Sequence, residues 1–231
     1  MVWRLILIRH GMTEGNREKR YIGTTDEALC EEGRRVLEKR KAAGEYPEAD
    51  VVFASPMRRC LETAELLYPG QEPVVIENFR ECDFGLFEGK NYRELTGNPL
   101  YQAWIDSGGE LAFPQGESRK LFQDRCAGGL KELAAVCRSW KAPGKGRGTE
   151  TTDAAFCGPS LCSTTAAVVV HGGTIMALLD RFGPEGCGYY SYQCGSGEGY
   201  CCLAEGFAGE NEKGGIALSC IHPLVFSQDL S

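Results

Sequence analysis

Two apolar runs in this chain end in the same way, and that shared ending constrains the fold more than any other feature. Residues 3–9 read WRLILIR and lead into His10 and Gly11; residues 166–170 read AAVVV and lead into His171 and Gly172. Both are short and aliphatic, without the polar alternation of a strand that has one wet face. Such runs predict strands buried on both faces of a parallel sheet. Residues 50–54 (DVVFA) form a third such run. Ser55 and Pro56 follow it as N-cap and first helical residue of a helix expected to reach residue 67.

Other segments fill in the alternation. Residues 30–43 have helical composition, with Gly44 as the stop. Residues 73–76 read as a strand, 117–140 as a long helix, 174–182 as another helix, and 199–205 and 215–221 as closing strands. Strands alternating with helices predict an α/β fold, a three-layer α/β/α sandwich with a mainly parallel central sheet. No repeat or second domain is visible, so residues 1–231 are read as one domain. Residues 141–165, rich in Gly, Thr, Ser and Pro, are expected to form an exposed loop. Residues 183–199 are glycine-rich and carry Tyr189, Tyr190 and Tyr192.

Composition narrows the function classes. With 42% hydrophobic and 25% charged residues, the chain is globular rather than disordered. No apolar run has the length of a membrane span or the pattern of a signal peptide, so a cytoplasmic protein without membrane partners is expected. A net charge of −7 with no basic stripe argues against nucleic acid. The 12 cysteines include no C-x-x-C pair, so they are read as reduced, small core residues and no metal site is expected.

Open α/β sheets bind ligands beyond the carboxyl ends of their strands, which is where the chemistry-bearing residues fall. In Arg9-His10-Gly11-Met12-Thr13-Glu14-Gly15-Asn16, a neutral imidazole can attack phosphorus and hold the phosphoryl group covalently. Arg9 offers a fork of donors matched to phosphate oxygens, and Thr13 and Asn16 offer further hydrogen bonds. Arg58, in the expected first helical turn after the second strand, is poorly placed for stability against the helix dipole and well placed for an anion. Arg59 is given no role. His171 repeats the strand-end position of His10, and with only 3 histidines in the chain that repetition carries weight. His222 lacks the context. Glu81 is a candidate proton donor to a leaving oxygen, with Asp83 and Glu88 as competitors that spacing does not separate. Tyr92, Tyr101, Trp104 and Phe113 either line a pocket or pack.

Together these segments resemble the histidine phosphatase, or phosphoglycerate mutase-like, superfamily. Its R-H-G-x-T-x-x-N matches residues 9–16, S-P-x-x-R-x-x-x-T-A residues 55–64, E-x-x-F-G-x-x-E-G residues 81–89, and H-G-G residues 171–173. The resemblance implies phosphorylation of His10, with Arg9, Arg58 and His171 around the phosphoryl group. It also implies Glu81 as general acid, and Thr13, Asn16 and the Gly172 N–H as substrate contacts. No cofactor or metal is implied, the substrate would be a small phosphorylated metabolite, and a homodimer is left open. A capping insertion is expected at about residues 90–115.

The family holds mutases as well as phosphatases. Thr13, Gly173 and the short segment before Glu117 are similar to the phosphatases, and the length and arrangement to their α-ribazole phosphatase group. A mutase cycling through the same phosphohistidine is the alternative. A catalytically silent anion-binding module is disfavoured by the full set of groups. Ala28-Leu29-Cys30 departs from the family's Pro-Leu-Thr and removes an N-capping hydroxyl.

Overall fold

The structure is a computed structural model that describes residues 2–140, 162, 164–206, 215–224 and 226. In chain order it contains β1 (Val2–Arg9), α1 (Glu14–Arg17), α2 (Glu31–Ala42), β2 (Val51–Ala54), α3 (Arg58–Leu67), β3 (Val74–Val75), α4 (Tyr92–Leu95) and α5 (Pro99–Asp106). These are followed by α6 (Arg119–Ser139), β4 (Thr165–Val170), α7 (Gly172–Phe182), β5 (Gly199–Gly206) and β6 (Ile216–Pro223). One sheet holds the strands in the order β3-β2-β4-β1-β5-β6. β1, β2, β3 and β4 pair in parallel, β5 runs antiparallel to β1, and β6 antiparallel to β5. Only β5 therefore runs against the rest, and the sheet is mostly parallel as expected.

The pleat divides the core. Trp3, Leu5 and Leu7 of β1 share one face with Val51, Phe53, Ala166, Val168 and Val170, under Phe122, Cys126 and Leu130 of α6 and Ile175 and Leu178 of α7. Ile6 and Ile8 share the other face with Val52, Ala54, Ala167 and Val169, under Leu37 of α2 and Cys60, Ala64 and Leu67 of α3. Helices thus cover both faces, and burial of each large aliphatic side chain contributes about 1.5–3 kcal/mol. Cys126 and Cys137 sit in this packing as small core residues, and every described cysteine is a free thiol.

Several boundaries differ from the sequence reading, for local reasons. The helix expected from Ser55 begins at Arg58, with Met57 as an N-cap that supplies no side-chain bond. Ser55 lies outside the helix, where its Oγ accepts the Met57 N–H at 3.4 Å and pairs with the imidazole of His171. At α2 the missing threonine is replaced in kind: the Cys30 Sγ accepts the Gly33 N–H at 3.3 Å. The insertion expected near residues 90–115 contains α4 and α5, each opened by an asparagine whose side chain caps the first turn. Tyr101, Trp104 and Phe113 stack on one another and meet Phe87 edge to face, so they pack, whereas Tyr92 is exposed. The expected loop at 141–165 lies almost wholly outside the described residues. Among the described residues no helix is long and apolar enough to cross a membrane.

A thiol is a weaker acceptor than a hydroxyl. Cys30→Ser should therefore stabilise the fold by roughly 0.5 kcal/mol, read as a higher denaturant midpoint at unchanged slope.

Candidate active site

The pairing register places the two strand-end histidines side by side. Arg9 of β1 lies opposite Val170 of β4, and the next backbone N–H, that of His10, donates to the Val170 carbonyl at 2.9 Å. Both chains leave the sheet at one level. The His10 and His171 rings therefore meet edge to face with centroids 5.2 Å apart.

The two rings are held in defined tautomers. His10 Nδ1 lies 2.7 Å from the Gly11 carbonyl oxygen, which can only accept, so Nδ1 carries the hydrogen and Nε2 keeps its lone pair. The Gly11 N–H donates to Thr63 Oγ1 at 3.0 Å, and the Thr63 hydroxyl donates to the Arg59 carbonyl at 2.7 Å, tying this turn to α3. At His171, Nδ1 accepts from Arg59 Nε at 3.2 Å and Nε2 lies 2.8 Å from Ser55 Oγ. The neutral ring thus donates from Nε2 to the serine. Burial, and then the nearby Arg59 guanidinium, push both histidines well below the ordinary imidazole value, so both are neutral at physiological pH.

Arg58 is not part of this cluster. It occupies the first position of α3 with its side chain 62% exposed, paired with Glu62 at 2.7 Å. Arg59 is 0% exposed and reaches inward. Besides His171, it donates to the carbonyls of Thr25 at 2.7 Å, Gly23 at 3.1 Å and Ile22 at 3.4 Å. The later start of α3 decides which arginine turns inward, since successive helical residues point about 100° apart. The signal was present in the sequence: counted from Ser55, the arginine of S-P-x-x-R is Arg59, not Arg58.

Arg9 closes the other side. Its Nη1 donates to the Cys194 carbonyl at 2.6 Å, while its buried Nε has no hydrogen-bond partner among the described residues. Gly172, the first residue of α7, lies against that guanidinium; a Cβ there would stand 3.4 Å from Arg9 Nε. An unused arginine donor beside a helix N-terminus is a place for an anion.

Glu81 comes from the loop after a 3₁₀ turn at Glu77–Phe79. Its carboxylate accepts the Cys82 N–H at 2.9 Å and the Gly173 N–H at 3.2 Å. A Cβ at 173 would come within 2.3 Å of Glu81 Oε1, so a side chain there would push the carboxylate out of this seat. Burial raises the Glu81 pKa, opposed by those two N–H groups and by the charges of Arg59 and Arg9. The competing acids have structural partners instead. Asp83 accepts the Gly85 N–H at 2.9 Å, and Glu88 accepts the N–H groups of Gly23 at 2.9 Å and Thr25 at 3.0 Å. Thr13 and Asn16 form a capping box at α1, with bonds of 3.2 and 3.3 Å. The Asn16 carboxamide oxygen is used there, which leaves its Nδ2 for any further contact.

A buried pair of neutral histidines, two arginines and one protonatable carboxyl thus meet at the carboxyl end of β1 and β4. The family model described as the histidine phosphatase superfamily (branch 1) matches residues 5–141. The chain belongs to that superfamily. It is 30% identical over 184 residues to the glucosyl-3-phosphoglycerate phosphatase of Mycolicibacterium vanbaalenii, covering 77% of this chain and 72% of that one. It is 32% identical over 134 residues to the 2,3-bisphosphoglycerate-dependent phosphoglycerate mutase of Parvibaculum lavamentivorans, covering 52% and 62%. In fold it is similar to the crystal structure of the α-ribazole phosphatase from Shigella flexneri, with a TM-score of 0.67 at 20% identity over 93% of this chain and 94% of that one. The chain spans about two thirds of the length of several curated relatives it matches.

The two adjacent arginines make opposite predictions. Arg59→Ala should lower kcat/KM on p-nitrophenyl phosphate about 100-fold or more, as the loss of a fixed cation at a phosphoryl group does. Arg58→Ala should leave it within about twofold, since a surface ion pair contributes at most about 1 kcal/mol.

Proposed function

We propose that this chain is a metal-independent phosphomonoesterase that hydrolyses a small phosphorylated metabolite through a phosphohistidine on His10. The observation that carries the reading is the His10 Nδ1–Gly11 carbonyl bond, which leaves Nε2 as the free lone pair. A phosphoryl group placed against Nε2 meets the spare Nε–H of Arg9, the Arg59 guanidinium, His171 and the N–H at the start of α7. The two guanidinium groups among these are fixed positive charges, and such charges stabilise the charge spread over a transferring phosphoryl without a metal.

In the first half-reaction the Nε2–P bond forms as the bond from phosphorus to the leaving oxygen breaks. Glu81 gives its proton to that oxygen. The Gly11 carbonyl stabilises the imidazolium that results. In the second, the Glu81 carboxylate takes a proton from water, the water oxygen bonds to phosphorus, and the N–P bond breaks. Inorganic phosphate leaves and both groups return to their starting states. Hydrolysis, rather than transfer back to a second substrate, is supported by Thr13, Gly173 and the short segment before Glu117, which are similar to the phosphatases of the family. The substrate is proposed to be a small-molecule phosphomonoester, with α-ribazole phosphate as one candidate, acted on in the cytoplasm.

His10→Ala should abolish turnover of p-nitrophenyl phosphate, and excess chelator should leave the parent rate unchanged. Phosphate transfer between glycerate positions without net phosphate release would instead make the chain a mutase.

The pH profile follows from the two shifts. His10 is productive when neutral, and its lowered pKa extends that form to more acid pH. Glu81 is productive when protonated, and its raised pKa extends that form to less acid pH. Activity should fall at low pH as His10 protonates, and at higher pH as Glu81 ionises. On phenyl phosphate, whose basic leaving oxygen needs the proton, Glu81→Gln should lose the alkaline limb along with about 100-fold of kcat/KM, measured against the parent on that substrate so that its own ionisation cancels.

A further inference from the structure

The nucleophile is positioned by the sheet, but Glu81 sits on a loop, and something other than strand pairing must hold it. The guanidinium of Arg125, on α6, has all of its N–H groups used around that loop. Nη1 donates to the carbonyls of Asn78 at 3.1 Å and Arg80 at 2.9 Å. Nη2 donates to the Glu81 carbonyl at 3.1 Å and to Glu117 Oε2 at 2.6 Å. Nε donates to Glu117 Oε1 at 2.9 Å. Arginine has five such donors in a rigid plane, and each here has one acceptor.

Glu117 completes the brace. Its Oε2 also accepts the Asp83 N–H at 3.0 Å, and its own backbone N–H donates to the Asp83 carbonyl at 2.9 Å. The chain is therefore gripped immediately before Cys82, through the Glu81 carbonyl, and immediately after it, through both backbone groups of Asp83. The Arg125 guanidinium also lies 5.1 Å from the centroid of the Phe122 ring. That ring borders Gly173, whose added Cβ would stand 3.2 Å from Phe122 Cε1. The brace thus runs from α6 to the carboxyl seat itself. The cation of Arg125 is matched by the anion of Glu117, so the loop is fixed without adding an unpaired positive charge that would drive Glu81 to ionise.

We propose that Arg125 and Glu117 are positioning residues for the general acid, setting where the Glu81 carboxyl stands relative to the leaving oxygen. This rests on the reading of Glu81 given above. A lysine at 125 supplies one cation but cannot reach the same acceptors in one plane. A misplaced acid matters most when the leaving group is basic, because a good leaving group departs without a proton. That dependence separates positioning from a general loosening of the fold.

The test compares kcat/KM, which reports the first half-reaction, for p-nitrophenyl phosphate and for phenyl phosphate, whose leaving phenoxide is more basic. Parent, Arg125→Lys, Glu81→Gln and the Arg125→Lys/Glu81→Gln double variant are measured. Arg125→Lys should cost roughly 10-fold more on phenyl phosphate than on p-nitrophenyl phosphate, a portion of the effect of removing the acid itself. The double variant should be within about twofold of Glu81→Gln on phenyl phosphate, since residues acting as a unit are non-additive. Equal losses on both esters, or losses that multiply in the double variant, would overturn the proposal. If Arg125→Lys does not fold, Glu117→Gln carries the same comparison. A Glu81→Gln variant with equal losses on both esters would remove the general acid and this proposal with it, leaving the nucleophile to be judged on His10→Ala.

Discussion

The parallel pairing of β1 with β4 is the constraint from which the rest of the site follows. Arg9 opposite Val170, and the His10 N–H on the Val170 carbonyl, oblige both strands to end at one level. A slip of one residue would turn every side chain of β1 to the opposite face and exchange the core sets of Leu5 and Leu7 with Ile6 and Ile8. The hydrophobic pattern that holds the register therefore also holds the distance between the two imidazoles. Packing energy spread over the sheet thus fixes the geometry of the candidate site at the carboxyl ends of β1 and β4.

That end of the sheet carries a concentration of buried polar groups. Arg59, His10 and His171 are all excluded from water. The structure manages this by keeping the rings neutral and giving Arg59 a set of carbonyl and imidazole acceptors rather than leaving it bare. Two imidazolium ions beside Arg9 and Arg59 would be mutually repelling charges in a dry pocket, so desolvation and like charge act in the same direction. One consequence is that His10 already stands in the neutral form that its proposed role as nucleophile requires. A second is that the positive charge of Arg9 and Arg59 is left complementary to an incoming anion.

How much of this was legible in the sequence depends on the scale of the signal. The α/β fold, the order of its elements and the pairing of His10 with His171 follow from aliphatic runs that end in His-Gly, a pattern several residues long. Arg59 was missed because its placement depends on the helical phase of α3. Ser55 and Pro56 look like the start of that helix, but Ser55 is drawn to His171 and the helix starts later. A shift of that size carries the inward position from one arginine to its neighbour, and only the motif's own spacing could have corrected it. The Cys30 cap was read as a loss because a thiol is seldom counted as an acceptor; the backbone geometry of a cap is served by any acceptor of that reach. The bracing by Arg125 and Glu117 was invisible, since it joins side chains to carbonyls that no sequence pattern identifies.

Glu81 shows why such bracing is needed. A strand-end residue inherits its position from hydrogen bonds repeated along the sheet, each supporting the next. A loop residue has no such ladder, and its carboxyl must nevertheless stand within hydrogen-bond reach of a departing oxygen. Here the loop is fixed from two directions. Gly173, by lacking a side chain, lets α7 approach the carboxylate and donate to it, while Arg125 of α6 and Glu117 just before that helix hold the backbone on either side of Cys82. The two helices that cover one face of the sheet are thus also the two that seat the acid. The same packing of α6 and α7 against β1 and β4 that buries the core on this face brings Glu81 to the histidines. A change that tilted either helix would therefore move the Glu81 carboxyl relative to the two histidines.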